Sequence, residues 1–236
     1  MSAPELSAIV LCYRAEDNVR HVVEPLYHDL VDSGVSFELV LVANFHEGSS
    51  DRTPDIVRAF ASEHENVRPV IEPKKGAMGW DMRAGLAAAQ GDYLVVMDGD
   101  EQNPVEDLLE AFSQMKRREL DVVKGRRIAR FDGYYRHLIS VAFNVLFMLA
   151  FRTYGLWDVN GKPKGITRAA YQRMTLSSDD WFADAEIVLE AVRHGMRIGE
   201  VPVVFRQNLE RRSFVEPSAA MEFARNIFRH RFGRPR

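Results

Sequence analysis

Two carboxylates separated by one small residue, Asp98-Gly99-Asp100, follow directly on the apolar run Tyr93-Leu94-Val95-Val96-Met97. The run has the length and composition of a buried strand. Two anions at its end are costly unless a cation compensates them. Hard oxygen ligands in this arrangement suit Mg²⁺ or Mn²⁺, ions that bridge protein carboxylates to the oxygens of a diphosphate. The same residues also fit a plain strand-to-helix turn, with Asp100 or Asn103 capping a helix that begins near Pro104.

Basic side chains form a second group. Arg136 and Ser140 are four residues apart and share one helix face. The planar fork of an arginine matches phosphate oxygens. Each of these residues also has a plainer reading. Arg126-Arg127 suits a solvated turn, Arg136 and Arg152 suit the two ends of a buried helix, and Lys75 in Pro-Lys-Lys-Gly suits an exposed loop. Asp184 and Glu186, at the start of a helix, favour its dipole without further duty. The Gly48 to Thr53 run is a turn and cap whatever the chemistry.

The elements that must hold these residues alternate in the first half. Strands are expected over Ser7 to Cys12, Phe37 to Val42, Val67 to Ile71 and the run before Asp98; helices over Asp17 to Asp32, Pro54 to His64 and Met78 to Gln90. That order predicts an α/β fold, a mostly parallel central sheet flanked by helices. Ligands of such sheets bind beyond the carboxyl ends of the strands, where Asp98 falls. In the second half, Val122-Val123 reads as a strand, Arg136 to Arg152 as an apolar helix, and Asp158 to Gly165 as an irregular loop. Ala183 to His194 reads as a helix, and Ile198 to Phe205, around Pro202, as an edge strand. From Pro217 the chain reads as a helix with a basic end.

Composition bounds the rest. The 236 residues, 46% hydrophobic and 28% charged, suffice for a sizeable core. A net charge of -3 gives no global reason to expect nucleic acid as a partner. The single cysteine, Cys12, excludes an internal disulfide and lies in an apolar run, where an inert buried thiol is expected. No secretory signal is visible, and no apolar stretch reaches the roughly 20 residues of a membrane span. Leu138 to Phe151 is either a core helix or a helix lying at a membrane surface. No Gly-x-x-x-x-Gly-Lys-Ser/Thr loop is present, nor a Gly-x-Gly-x-x-Gly after the first strand, which argues against P-loop enzymes and dinucleotide dehydrogenases.

Taken in order, the motifs resemble the inverting family 2 glycosyltransferases of GT-A fold. They are Ile9 to Tyr13 with Glu16 to Val19, Gly48 to Thr53, Lys75-Gly76 through Gly91-Asp92-Tyr93, and Asp98 to Pro104. Gly125-Arg126-Arg127, Arg136 with Ser140 and Asn144, Asp158 to Lys164, Asp184-x-Glu186, Gly199 to Val203 and Arg206 continue the likeness. The form Asp-x-Asp-x-Gln-x-Pro is similar to the dolichyl- or polyprenyl-phosphate sugar transferase branch.

The resemblance implies a sugar moved from a nucleotide-sugar donor to a polyprenyl phosphate, in cell-surface polysaccharide or glycoconjugate synthesis. It implies a divalent cation, Mg²⁺ or Mn²⁺, held by Asp98, Asp100 and Gln102. Tyr13, Asp51, Lys75, Asp98 and Asp100 would meet the donor; Arg127, Arg136, Ser140 and Arg206 would receive the acceptor phosphate. Asp100 and Asp184 would be catalytic. A lipid phosphate attacks without a general base, whereas a hydroxyl acceptor needs one, and Asp184 is then the candidate. Residues 1–216 would form one catalytic unit, with a donor half (1–124) and an acceptor half (125–216), followed by a basic amphipathic tail (217–236). A cytoplasmic place at the inner membrane face, peripheral attachment, a homodimer and no nucleic-acid partner complete the expectation. The alternatives are transfer to a saccharide hydroxyl, or a catalytically weak nucleotide-sugar-binding protein.

Departures from the family pattern are visible. Ala43-Asn44-Phe45-His46-Glu47 replaces an acidic pair, and Asp158-Val159-Asn160-Gly161-Lys162-Pro163-Lys164 differs from the usual Thr-Ser-Gly-Phe-Arg.

Overall fold

A computed structural model describes residues 3–130, 134–206 and 218–232. Its strands are β1 (Leu6–Leu11), β2 (Phe37–Val42), β3 (Val67–Val70), β4 (Tyr93–Asp98), β5 (Val122–Arg130), β6 (Lys164–Thr167) and β7 (Ile198–Phe205). Its helices are α1 (Asn18–Asp32), α2 (Thr53–Glu63), α3 (Met78–Ala88), α4 (Glu106–Arg118), α5 (Tyr134–Phe151), α6 (Arg168–Tyr171), α7 (Ala183–Arg193) and α8 (Ser218–Phe232). The strands form one sheet in the order β3-β2-β1-β4-β6-β5-β7. The first four in that order run parallel; β6 is antiparallel to both β4 and β5, and β7 is parallel to β5. The fold is the expected α/β architecture.

β1 is buried at every position because helices cover both faces, which is why it reads as a continuous apolar run. On one face Leu6, Ala8 and Val10 pack with Val22 and Leu26 of α1 and with Phe112 and Met115 of α4. On the other, Ile9, Leu11, Val40 and Val42 pack with Met82 and Leu86 of α3 and Ile187 of α7. Gly85 lets α3 approach, since a Cβ there would lie 2.7 Å from Ile9 and 2.8 Å from Val42. Cys12 is the buried free thiol expected. β7 is an edge strand, as its exposed Pro202 requires.

α5 takes the core-helix alternative on one face: Phe143 and Phe147 pack with Phe182 and Val188, and with Ile227 of α8. Among the described residues no helix is long and apolar enough to cross a membrane. The expected irregular loop over Asp158 to Gly165 is shorter than expected, because Lys164 opens β6. Gly165, read as a loop residue, is a packing residue; a Cβ there would lie 2.5 Å from the Met115 sulfur.

The register decides what meets at the sheet edge. Leu11 pairs with Val42 on one side and with Asp98 on the other, so β1, β2 and β4 end together. Val96 pairs with Lys164 in an antiparallel ladder. Continuing that ladder by two residues puts Lys162 opposite Asp98. α4 begins at Glu106 with Val105 as its cap residue and no side-chain cap. Neither Asp100 nor Asn103 therefore caps it, although Asp100 Oδ1 accepts from the Gln102 amide at 3.2 Å as a local turn would have it.

Candidate active site

Asp98 ends β4 and Asp100 lies two residues beyond; both are partly buried. The Lys162 ammonium donates to Asp98 Oδ1 at 2.6 Å and stands 3.6 Å from Asp184 Oδ2. Lys164 Nζ is 3.5 Å from Asp184 Oδ1 and donates to the carbonyls of Val159 at 2.6 Å and Asp184 at 3.2 Å. Burial works against a charged Lys162, but Asp184, Asp98 and Asp100 outweigh it and hold its pKa above the usual lysine range. For Lys164 burial prevails, and its pKa is pushed down to about 8. Asp184, only 3% exposed, is thus the shared counter-ion of two buried lysines. None of the three positions was expected to hold a lysine–carboxylate cluster. The available signal was two lysines flanking Pro163 just before an apolar strand.

The loop that carries Lys162 is fixed by other cations. Arg127 Nε donates to Asp158 Oδ2 at 2.8 Å while its terminal nitrogen donates to Oδ1, a bidentate fork. Burial pushes the Asp158 carboxyl up, and the bonds and charge of Arg127 bring it below the usual carboxylate range. Lys124 bridges Glu200 Oε1 at 2.6 Å and the Trp157 carbonyl. Asn103 Nδ2 donates to the Lys162 carbonyl at 3.2 Å. Gly125 and Gly161 meet backbone to backbone; a Cβ on Gly125 would lie 2.1 Å from the Lys162 oxygen. Asp158 (φ 55) and Glu101 (φ 61) adopt left-handed backbone, a conformation that only a determined environment maintains.

Each described member of the expected acceptor set has a partner within the protein. Arg127 serves Asp158. Ser140 belongs to a link in which its carbonyl accepts from Asn144 at 2.8 Å, and Asn144 Oδ1 accepts from the Val159 amide at 3.0 Å. Arg206 is exposed at the end of β7, its amide donating to the Gln102 carbonyl at 2.8 Å while Gln102 Nε2 donates to the Arg206 carbonyl at 3.2 Å. The side chain of Arg136 lies outside the described residues.

On the donor side, Tyr13 and Asn44 follow β1 and β2 directly. Lys74, rather than Lys75, is the buried lysine of its loop: its ammonium lies 4.4 Å from the Tyr13 ring centre and pairs with Asp81, which also accepts from Asn44 at 3.0 Å. Lys75 is exposed, 5.7 Å from the Trp80 ring. Tyr13 also meets His46 edge-on at 6.0 Å. Asp51 accepts from the Thr53 amide at 3.0 Å and the Thr53 hydroxyl at 2.6 Å, the turn chemistry that its plainer reading required.

The acidic pair fits a divalent cation held jointly with a ligand's oxygens. Among the described residues no three His, Cys, Asp or Glu side chains converge into a self-contained cage. Magnesium-like ions commonly use one or two carboxylates and complete their shell with phosphate oxygens and water.

Asp107, in the first turn of α4, carries a separate consequence. Burial pushes its carboxyl up to about 6, against the opposing Asn103 hydrogen bond. Folded chain then holds a proton that unfolded chain releases, so this group removes stability as pH rises from about 4 to about 6. Asp107→Asn is expected to flatten that limb and to raise unfolding free energy at pH 7 by about 1 kcal/mol, after discounting for partial exposure. Urea unfolding at pH 4 and pH 7 checks it; equal stability of variant and parent at pH 7 contradicts it.

Comparison with known proteins places this geometry. The sequence pattern of Glycosyl transferase family 2 matches residues 7–174, a span that contains β2 to β6, all of β1 but Leu6, and Asp98-Gly99-Asp100. The chain belongs to glycosyl transferase family 2. Among sequence relatives, a dolichyl-phosphate beta-glucosyltransferase of Trichomonas vaginalis is 25% identical over 216 residues, 86% of this chain and 66% of that protein. A dodecaprenyl-phosphate galacturonate synthase of Rhizobium johnstonii is 32% identical over 132 residues, 56% of this chain and 38% of its own length. The chain thus spans at most 66% of these curated relatives. Among solved structures, glucosyl-3-phosphoglycerate synthase of Mycobacterium tuberculosis, in complex with Mn²⁺, uridine diphosphate and phosphoglyceric acid, superposes with a TM-score of 0.76. It is 17% identical, and the match covers 99% of this chain and 80% of the synthase.

That likeness corrects the polyprenyl-phosphate branch and acceptor. The fold is shared along nearly the whole chain with a synthase captured with phosphoglyceric acid, which has no lipid chain. The physical reason lies in this family 2 chain itself: Arg127 is held by Asp158, and Ser140 by the link to Asn144. The expected partners change accordingly. The complexes of that synthase hold a nucleoside diphosphate, in keeping with the expected nucleotide donor, and a small phosphorylated acid in place of the expected polyprenyl phosphate; the membrane surface and the second copy expected beside that lipid lose their support with it.

Proposed function

We propose that the chain moves a sugar from a uridine-diphosphate sugar to the hydroxyl of a small phosphorylated acid, with a divalent cation. The carrying observation is the pair Asp98 and Asp100 at the carboxyl edge of the parallel strands, inside the family 2 match. Its support also includes the complexes of the structurally similar synthase with Mn²⁺, Mg²⁺ and uridine diphosphate. A bound divalent ion supplies positive charge against the diphosphate as it departs. Asp100, with Gln102 nearby, is the protein ligand this reading assigns to that ion. Tyr13 and Lys74 face the nucleotide in this reading, with Asp51 and Lys75 as further candidate contacts. Residues 1–216 act as one unit, and Arg206, with Arg136, remains a candidate contact for an acceptor phosphate.

A hydroxyl acceptor must lose a proton as it attacks, and Asp184 is the carboxylate assigned to take it. Lys162 and Lys164 fix its position. The test is consumption of UDP-glucose with Mn²⁺, followed by phosphorus and proton NMR, with phosphoglyceric acid or glycerol phosphate as acceptor. Acceptor-dependent release of UDP is expected. Binding of UDP without turnover on any phosphorylated hydroxy acid would overturn the acceptor assignment and favour a binding protein.

A further inference from the structure

We propose that Asn226 and Glu222 of α8 are positioning residues. They fasten residues 179–182, and that segment seats both the donor-side loop of Lys74 and the helix start that carries Asp184. The proposal rests on the function proposed above and adds to it an element beyond residues 7–174, the span of the family 2 pattern. Asn226, 2% exposed, donates from Nδ2 to Asp180 Oδ2 at 2.6 Å. Glu222 Oε1 accepts from the Trp181 amide at 3.1 Å. Phe182, fully buried, stacks on the His230 ring with centroids 5.0 Å apart. Residues 180, 181 and 182 thus each meet α8, and α7 begins directly after them with Ala183 and Asp184.

The same segment turns its backbone to the donor side. The Asp179 carbonyl accepts from the amides of Ala77 at 2.7 Å and Trp80 at 3.2 Å, and the Asp180 carbonyl accepts from Gly79 at 3.1 Å. Gly79 and Trp80 stand in the first turn of α3, where amides have no partner within their own helix. A Cβ on Gly79 would lie 2.5 Å from the carbonyl oxygens of Ser178 and Asp180, so the two backbones touch. The Ala77 carbonyl accepts from Lys74 Nζ at 3.0 Å, which ties the segment to the lysine assigned to the nucleotide. In the other direction, Asp180 Oδ1 accepts from the Phe182 amide at 3.0 Å and fixes the entry into α7, two residues before Asp184. Two side chains of α8 are thereby linked to the donor's lysine and to the carboxylate assigned to the attacking hydroxyl. Loosening them displaces both, and small displacements of reacting groups cost rate steeply.

Amide hydrogen exchange and kinetics test this together on the full chain. Asn226→Ala is expected to speed exchange at Gly79 and Trp80 by at least about tenfold relative to the amides of β1. UDP affinity with Mn²⁺ should fall about fivefold and kcat about tenfold. Glu222→Ala should act in the same direction, while Glu222→Gln, which keeps an acceptor oxygen, should match wild type. Arg193→Ala is the control. It removes the 2.9 Å bond to the His230 carbonyl near the carboxyl end of α8, and should lower the melting temperature with UDP affinity and kcat unchanged. A folded Asn226→Ala variant with wild-type exchange at Gly79 and Trp80, or with wild-type kcat and UDP affinity, overturns the proposal. Equal loss of activity in Arg193→Ala overturns it as well. Should Asn226→Ala not fold, Glu222→Ala set against Glu222→Gln decides, and equal activity of those two counts against the proposal. Should wild type bind no UDP, the donor reading falls, and the exchange comparison still decides whether α8 holds the segment.

Discussion

Asp100→Ala is expected to lower sugar transfer by about a thousandfold while shifting unfolding free energy by only about 0.5 kcal/mol. The asymmetry follows from where the carboxylate stands. Asp100 lies past the end of β4, partly buried, and its Oδ1 accepts from the Gln102 amide at 3.2 Å. The Lys162 ammonium donates to Asp98 and faces Asp184, and the charge of Asp100 adds to its hold. Removing Asp100 leaves the Asp98 and Asp184 pairs of Lys162 in place, yet takes away the ligand assigned to the ion that meets the departing diphosphate. The loss should appear in kcat with Mn²⁺ saturating, and UDP should no longer bind more tightly when Mn²⁺ is present. Undiminished Mn²⁺-dependent turnover in a folded Asp100→Ala variant would falsify the assignment.

The donor side of the fold was legible because its signals are local. β1 and β4 are apolar runs of strand length, and α1 shows its buried face through Val19, Val22, Val23, Leu26 and Leu30 at helical spacing. β6 was not legible. Its glycine serves packing against Met115 rather than a turn, and its four residues are too few for a periodicity to show. Strand pairing across more than 60 residues then brings Lys162 to Asp98, a separation that no local pattern reports.

Within the site, residue types were easier to read than their partners. The acidic pair stood out because two carboxylates after an apolar strand require compensation, and compensation is what the structure supplies, by lysine as well as by the proposed metal. Arg127 drew attention as a phosphate fork, but a fork suits a carboxylate equally, and Asp158 is the carboxylate within reach. Lys74 and Lys75 are adjacent in sequence and differ only in which one faces Asp81. That choice is made by the packing of α3 against the sheet, which holds Asp81 2% exposed. Sequence spacing thus predicted where charge gathers and left open how it is neutralised.

Asp184→Asn separates two duties that the geometry assigns to one carboxylate. As counter-ion, Asp184 faces Lys162 at 3.6 Å and Lys164 at 3.5 Å in a buried cluster. Removing its charge leaves Lys162 with Asp98 and takes from Lys164 the carboxylate it faces, and a loss of about 3 kcal/mol at pH 7 is expected. The loss should shrink in alkali, and the sign can be worked out. Lys164 is already pushed down to about 8 in the folded chain, against an unfolded value near 10.5. Between those values the unfolded chain binds more protons, so stability rises with pH. In the variant the folded value falls further and the rising limb begins at lower pH, so the part of the loss that runs through Lys164 fades towards about pH 10 while the part that runs through Lys162, still charged there, persists. As base, Asp184 should also cost transfer to a hydroxyl about a hundredfold in kcat, with the donor's KM little changed. Urea midpoints at pH 7 and 9, set beside kcat at pH 7, distinguish the cases. A variant as stable as its parent but inactive leaves only the base; an unstable variant with full kcat leaves only the counter-ion.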